Sequence, residues 1–420
     1  MELRAGYKNT KVGVIPDDWE VKKLGDVLKV IGGGAFKSID ATPNGVKWLK
    51  IANVGINKAV WDDESYLPKE LIKDNENFLL QENDYVLALT RPILDRKLKI
   101  TKLNENDVPA LLNQRVGKIV VENQTDIDFT YYLFQRFETI NGLLQSMAGT
   151  DPPNLSNKGI YGIDCAIPVT KAEQTAIANA LSDVDALINN IEKLITKKRN
   201  IKQGAMQKLL QPKEDWEVKT IQDLINENII ISHLDGNHGE LYPRANEFKK
   251  DGIAYVGATD FKNGMVNFSS CKFLSIERAN LFRKGIARDG DVLFAHNATV
   301  GPVAILKTKF DFIILSTTTT YFRCDNKNLI NIFLFYALQS PHFVAQYKSV
   351  MLQSTRAQVP IGQQRKFNLI LPNSKEQIEI AQILSDMDLE IAGLEGKLSK
   401  YRAIKMGMMQ NLLTGKIRLV

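Results

Sequence analysis

Residues 16–22 read PDDWEVK, the letters of a metal-dependent nuclease: a Pro-Asp pair followed by Glu-x-Lys. Such a site needs acids on neighbouring strands converging on a metal, whereas Asp17 and Glu20 lie three residues apart in one segment. A second copy from Asp215 keeps WEVK without the Pro-Asp pair, so Trp19 and Trp216 read as packing anchors at domain entrances. The run IGGGAF (Ile31–Phe36) has the glycines of a phosphate loop but neither a following helix nor a distal acid. DPPN (Asp151–Asn154) has the core of a loop that methylates extruded bases, yet that chemistry stacks an aromatic on the base where Asn154 stands. His233 and His238 lack a third ligand for a metal. We therefore expect neither a catalytic residue nor a metal site.

The strongest signal is a repeat. Glu173–Leu210 aligns without a gap on Glu376–Leu413 at a shift of 203, with 19 of 38 positions identical. Weaker echoes precede each copy: DWEVKKLGDVL returns as DWEVKTIQDLI, and NDYVLAL as GDVLFAH. The repeated segment carries a heptad seam. Its first copy has Ile177, Leu181, Val184, Ile188, Ile191 and Ile195; its second has Ile380, Leu384, Met387, Ile391, Leu394, Leu398 and Tyr401. Each copy predicts a helix of roughly 55 Å at about 1.5 Å per residue. Antiparallel pairing of the two helices lets the second globular segment begin and end at one end of the rod. Identities off the seam, at Lys202, Gly204 and Gln207, suggest a protein partner meeting both helices.

The intervening segments read as mixed strand and helix. WLKIANV, IAYVGATD, YVLAL and DVLFAH have the character of short buried strands. FTYYLFQRFETINGLLQSM and NIFLFYALQSPHFVAQYKSV have helical periodicity. The expected fold is α+β, with two tandem mixed α/β domains separated by two long helices in an antiparallel, pseudo-two-fold coiled coil. Expected boundaries are 1–170 for the first domain, 171–213 for its helix, 214–373 for the second domain and 374–420 for the second helix and tail.

Composition narrows the class. Apolar and charged fractions of 44% and 24% suit a soluble folded protein, with no apolar run long enough to span a membrane. Cys165, Cys271 and Cys324 form no CxxC, which suits a reducing cytoplasm. The formal charge of +6 hints at a polyanion, yet residues 1–170 hold 21 basic and 23 acidic side chains. Net charge alone identifies no nucleic-acid binder.

Together these motifs resemble the specificity subunits of type I restriction–modification enzymes. The resemblance rests on IPDDWEVKKLGDV, on AGTDPPNLSNKGI leading to EQTAIANALSDVD and MQKLL, and on the second series DWEVKTIQDL, EQIEIAQILSDMD and MMQNLLTGKIR. It covers essentially the whole chain; LQSTRAQVP departs from AGTDPPNLS in the second half. The family implies a non-catalytic reader of double-stranded DNA whose domains each recognise half of an interrupted target. Its helices would space the domains and dock two methyltransferase subunits, with restriction/translocase subunits joining them. S-adenosylmethionine, ATP and Mg would reside on those partners. The competing readings are a coiled-coil scaffold that binds no DNA and a self-contained DNA modification enzyme.

For a DNA reader, TRPILDRKLKITK gathers Arg91, Arg96, Lys97, Lys99 and Lys102 against Asp95, as phosphate contacts or a solvated strand face. Asn113, Gln114 and Arg115 suit base edges, Asn and Gln for adenine and Arg for guanine, or sit mid-strand. Thr150 and Asn154 bound the DPPN loop. In the second half the candidates are His296, Asn297 and Thr299 after a strand, Gln353, Ser354, Thr355, Arg356 and Gln358 in the matching loop, and Arg283 and Lys284.

Overall fold

A computed structural model describes residues 5–62, 64–236, 241–352 and 356–419. It divides into two compact units, Met1–Glu192 with Lys397–Val420, and Lys193–Gly396. The units therefore share both long helices, Lys171–Leu209 and Ser374–Leu412. No helix among the described residues is long and apolar enough to cross a membrane.

In the first unit, one antiparallel sheet orders Ile100–Lys102, Tyr85–Ala88, Val116–Val121 and Leu28–Gly32. A second sheet orders Tyr66–Leu67, Val46–Leu49, Ala110–Leu112 and Leu79–Leu80, with a parallel central pair. The strand Tyr85–Ala88 is buried throughout because its alternate side chains enter different cores. Tyr85 and Leu87 join Phe129 and Leu133, from the helix Ile127–Leu133, while Val86 and Ala88 join Leu49, Ala110 and Leu112.

The second unit repeats the plan with an extended sheet: Ile230–Asp235, Thr319–Cys324, Val292–Asn297, Thr299–Ile305, Met265–Val266 and Phe261–Lys262. Its smaller sheet orders Lys272–Leu274, Ile253–Val256, Ile313–Leu315 and Ile286–Ala287. Val292 and Phe294 pack with Phe333 and Phe343, and Leu293 packs with Val256 and Leu315. Both segments expected to be helical break into two helices, Ile127–Leu133 and Phe137–Ser146, then Asn331–Ala337 and Pro341–Leu352.

The repeated sequence ties each domain to the helices. Trp19 is fully buried and its indole donates to Glu173 at 3.3 Å; Trp216 donates to Glu376 at 3.1 Å. Buried Gln174 accepts from the Asp126 amide and donates to the Pro168 carbonyl. Gln377 does the same with Ile330 and Pro372. The Glu near the start of each helix therefore satisfies an indole N–H, and the Gln after it backbone groups of its own domain, as burial demands.

The helices pair antiparallel within each unit. In the first, Asp185 meets Lys405 at 2.7 Å and Glu192 meets Arg402 at 2.5 Å. In the second, Lys198, Arg199 and Lys202 meet Glu390, Glu395 and Asp388. Within each unit the pair latest on the first helix falls earliest on the second: Glu192 with Arg402 against Asp185 with Lys405, and Lys202 with Asp388 against Lys198 with Glu390. All thirteen seam residues are buried or half-buried. Lys202 corrects the reading of off-seam identities as partner contacts: it bonds Asp388, which also accepts the Tyr336 hydroxyl. Its repeat Lys405 bonds Asp185, which accepts the Tyr132 hydroxyl. Gly204 and Gln207 remain exposed.

Candidate nucleic-acid interface

Three segments of the first unit meet at one end of its antiparallel sheet. Leu89–Pro92 leaves the strand Tyr85–Ala88, the turn Asn113–Arg115 enters Val116–Val121, and Thr150–Leu155 lies alongside. Backbone bonds lock them: Leu89 N–H to Arg115 O at 2.9 Å, Arg91 N–H to Pro153 O at 2.8 Å, and Leu155 N–H to Leu89 O at 2.7 Å. The glycine run is the fourth wall. Gly34 N–H donates to Leu112 O at 2.8 Å and Gln114 N–H to Gly34 O at 2.9 Å. A Cβ on Gly33 would stand 2.0 Å from Leu112 O, so this backbone approach requires glycine.

The edge holds Arg91, Asn113, Gln114, Arg115, Thr150 and Asn154. Gln114 and Arg115 are exposed, and none of the side chains of Asn113, Gln114 and Arg115 is hydrogen-bonded within the described residues. They lie in the turn rather than mid-strand. Thr150 and Asn154 spend their polar atoms internally: Thr150 donates to Met147 O, and Asn154 accepts from the Thr90 hydroxyl and donates to Pro152 O. Arg96 and Lys97 are exposed on the hairpin of Ile93–Leu94 and Lys97–Leu98, which leaves the sheet at this same end. Lys99 departs from the expected cluster. It is half-buried and donates to Ile51 O at 3.1 Å, and burial lowers its pKa below the usual lysine value. Lys102 pairs with Asp128 at 2.7 Å. Of the expected cations at this edge, Arg91, Arg96, Lys97 and Arg115 are exposed and without an ion pair among the described residues.

The second unit repeats the three locking bonds of this edge. Its connections are His296 N–H to Thr318 O at 2.9 Å, Ala298 N–H to Ala357 O at 3.0 Å, and Val359 N–H to His296 O at 2.8 Å. The isolated bridge Thr90–Asn154 has its counterpart in Asn297–Gln358. Thus Asn297, Thr299, Arg356 and Gln358 come together, and Leu315 N–H bonds Gly285 O, bringing Arg283 and Lys284 to the neighbouring strand end. Arg283 is exposed, whereas Lys284 pairs with Asp235 at 2.8 Å. Gln353, Ser354 and Thr355 lie outside the described residues, as does His238.

His296 corrects its assignment as a base contact. It is 6% exposed, with Nδ1 3.2 Å from Val359 O, and so braces the loop from below. His233 is also buried, stacked on Phe322 with centroids 4.2 Å apart, and its Nε2 lies 3.2 Å from Gln364 Oε1. Burial pushes its pKa down to about 3. The residues missed by sequence reading are Ser316, Thr317 and Thr318, the counterpart of Asn113–Arg115. Their 203 shift was available, but STT shares no residue with NQR.

This duplicated edge, on two α+β domains that each pack on the paired helices, defines a tandem-repeat protein. The type I restriction modification DNA specificity domain matches the chain twice, over residues 16–203 and 213–400. The chain belongs to that family. The MjaVIII specificity subunit of Methanocaldococcus jannaschii is 38% identical over 183 residues, a match spanning 43% of each chain. The EcoAI specificity subunit of Escherichia coli is 32% identical over 181 residues, 43% of this chain and 30% of that one. These two matches thus span less than half of either relative, whereas the putative MjaX subunit matches at 23% identity over 98% of this chain and 96% of its own. The crystal structure of the type I system S subunit from M. genitalium shares the fold, at TM-score 0.62, 14% identity and 98% coverage of both chains. A chain from a structural study of type I R-M complex assembly shares it at TM-score 0.54 and 16% identity, over 96% of this chain and 99% of that one.

Proposed function

We propose that this chain is the DNA-reading specificity subunit of a type I restriction–modification complex, acting in the cytoplasm without catalysing a reaction itself. Each domain reads half of an interrupted duplex target through its three-segment edge. The observation carrying this reading is the recurrence of that edge's three locking bonds on two domains of one family, with exposed Arg91, Gln114 and Arg115 in the first making no side-chain hydrogen bond among the described residues. Arg91, Arg96 and Lys97 supply sequence-independent phosphate attraction, while the Asn113–Arg115 turn supplies groups that match base edges. The exposed Ile201 and Ile404, 203 residues apart, lie one helical turn before exposed Gly204 and half-buried Gly407 and support two like docking surfaces for two methyltransferase subunits. S-adenosylmethionine, ATP and Mg belong to the methyltransferase and translocase partners in this reading.

The test is expression of the chain with a partner DNA-adenine methyltransferase in a methylation-free host, followed by sequencing of modified adenines. An interrupted motif that requires both proteins is expected. Methyl transfer by the chain alone would establish a self-contained enzyme instead, and absence of duplex binding at low salt would leave a scaffold.

A further inference from the structure

The two reading edges have the same backbone but different side-chain chemistry at one position. In the first unit the turn Asn113–Arg115 presents three polar side chains, all without hydrogen bonds among the described residues. Its backbone is held on both sides, by Gly34 and by Leu89. In the second unit Ser316–Thr318 occupies the same place, held by the bonds Ser316 N–H to Val256 O at 2.8 Å and His296 N–H to Thr318 O at 2.9 Å. There the chemistry is turned inward. The Ser316 and Thr318 hydroxyls bond each other at 2.7 Å, and Thr318 also accepts from the Ala258 amide at 2.9 Å. Of the three, Thr317 alone has a hydroxyl without a hydrogen bond among the described residues.

Resting on the DNA-reading function above, we propose that these turns are equivalent base-reading positions, and that their unequal side chains make the two half-sites differ. A turn fixed by backbone bonds holds the Cα positions of its side chains in place, so little backbone freedom is lost on binding. Arg115 has the fork that matches the O6 and N7 of guanine, and Asn113 and Gln114 the paired donor and acceptor that match adenine. The first half-site therefore carries a strongly specified purine opposite this turn. Thr317, with one short hydroxyl and a methyl, discriminates weakly, so the corresponding position of the second half-site is degenerate or reads only a thymine methyl.

The experiment selects bound duplexes from a randomised pool using the full chain, with its methyltransferase partner present. It compares wild type, the variant N113S/Q114T/R115T and the reciprocal Thr317→Arg. The triple variant should lose discrimination at one or two positions of one half-site, by about five- to 150-fold per bidentate contact, with the other half unchanged. Thr317→Arg should sharpen one position in the opposite half. Should the triple variant fail to fold by far-UV circular dichroism, Arg115→Gln carries the same test, guanine preference giving way at a single position. Unchanged motifs, or changes in both halves from one turn, overturn the inference while leaving DNA reading intact. A wild-type protein that enriches no motif overturns DNA reading itself.

Discussion

Replacing Asp185 by alanine removes the centre of a three-segment cluster that fastens the first domain to the helix pair. Its carboxylate accepts from the Tyr132 hydroxyl at 3.0 Å and from Lys405 Nζ at 2.7 Å. Hydrogen bonds to charged groups contribute about 1.5–3 kcal/mol where buried. The Asp185 side chain is 26% exposed, and Lys405 keeps a 3.3 Å contact to Gln135 Oε1 after the substitution. Each bond is therefore worth about 1 kcal/mol, and Asp185→Ala should cost about 2 kcal/mol. Tyr132→Phe alone should cost about 1 kcal/mol but almost nothing in the Asp185→Ala background, a coupling of about 1 kcal/mol. Urea unfolding followed by Trp fluorescence measures all four corners of the cycle, since Trp19 is buried in this unit. The equivalent Asp388→Ala should cost less, because Asp388 is 41% exposed. A coupling below about 0.3 kcal/mol, or an equal cost at Asp388, would refute a cluster whose strength follows burial.

Arg115→Ala should weaken specific binding more than binding to random duplex, by about 1–3 kcal/mol, while exposed Lys97→Ala weakens both and lowers the salt slope; fluorescence anisotropy across a salt series separates them. Gly33→Ala drives a Cβ to 2.0 Å from Leu112 O and should cost about 1–3 kcal/mol and erase recognition in one half-site only. Gly204→Ala, with nothing within 4 Å, should leave recognition intact and stabilise the helix by up to about 1 kcal/mol in a thermal melt. His233 is held neutral by burial, with its pKa near 3 against 6.5 unperturbed. The unfolded chain gains that proton first as pH falls, so native stability drops between pH 6.5 and 3; urea midpoints of His233→Gln should fall less steeply over that window.

The sequence alone determined the duplication, the heptad seam and the helix orientation, because apolar periodicity and repeat spacing are written in consecutive residues. It also marked Trp19 and Trp216 as packing anchors, since each opens the same WEVK segment, and both are buried. The reading edge was only half legible. Arg115 and Gln114 stood out by residue type, but Lys99, Lys102, Lys284 and His296 look as available in sequence as Lys97 does. Tertiary structure decided between them by placing Ile51 O, Asp128, Asp235 and Val359 O within bonding distance. The Lys202 repeat was reassigned for the same reason, its partner Asp388 lying 186 residues away. Equivalence of Asn113–Arg115 with Ser316–Thr318 was likewise hidden, because what the two turns share is backbone hydrogen bonding, of Asn113 and Ser316 N–H to Leu49 and Val256 O and of Leu89 and His296 N–H to Arg115 and Thr318 O. Any side chain that tolerates a turn satisfies those bonds, so the fold preserves the position while leaving its chemistry free to differ.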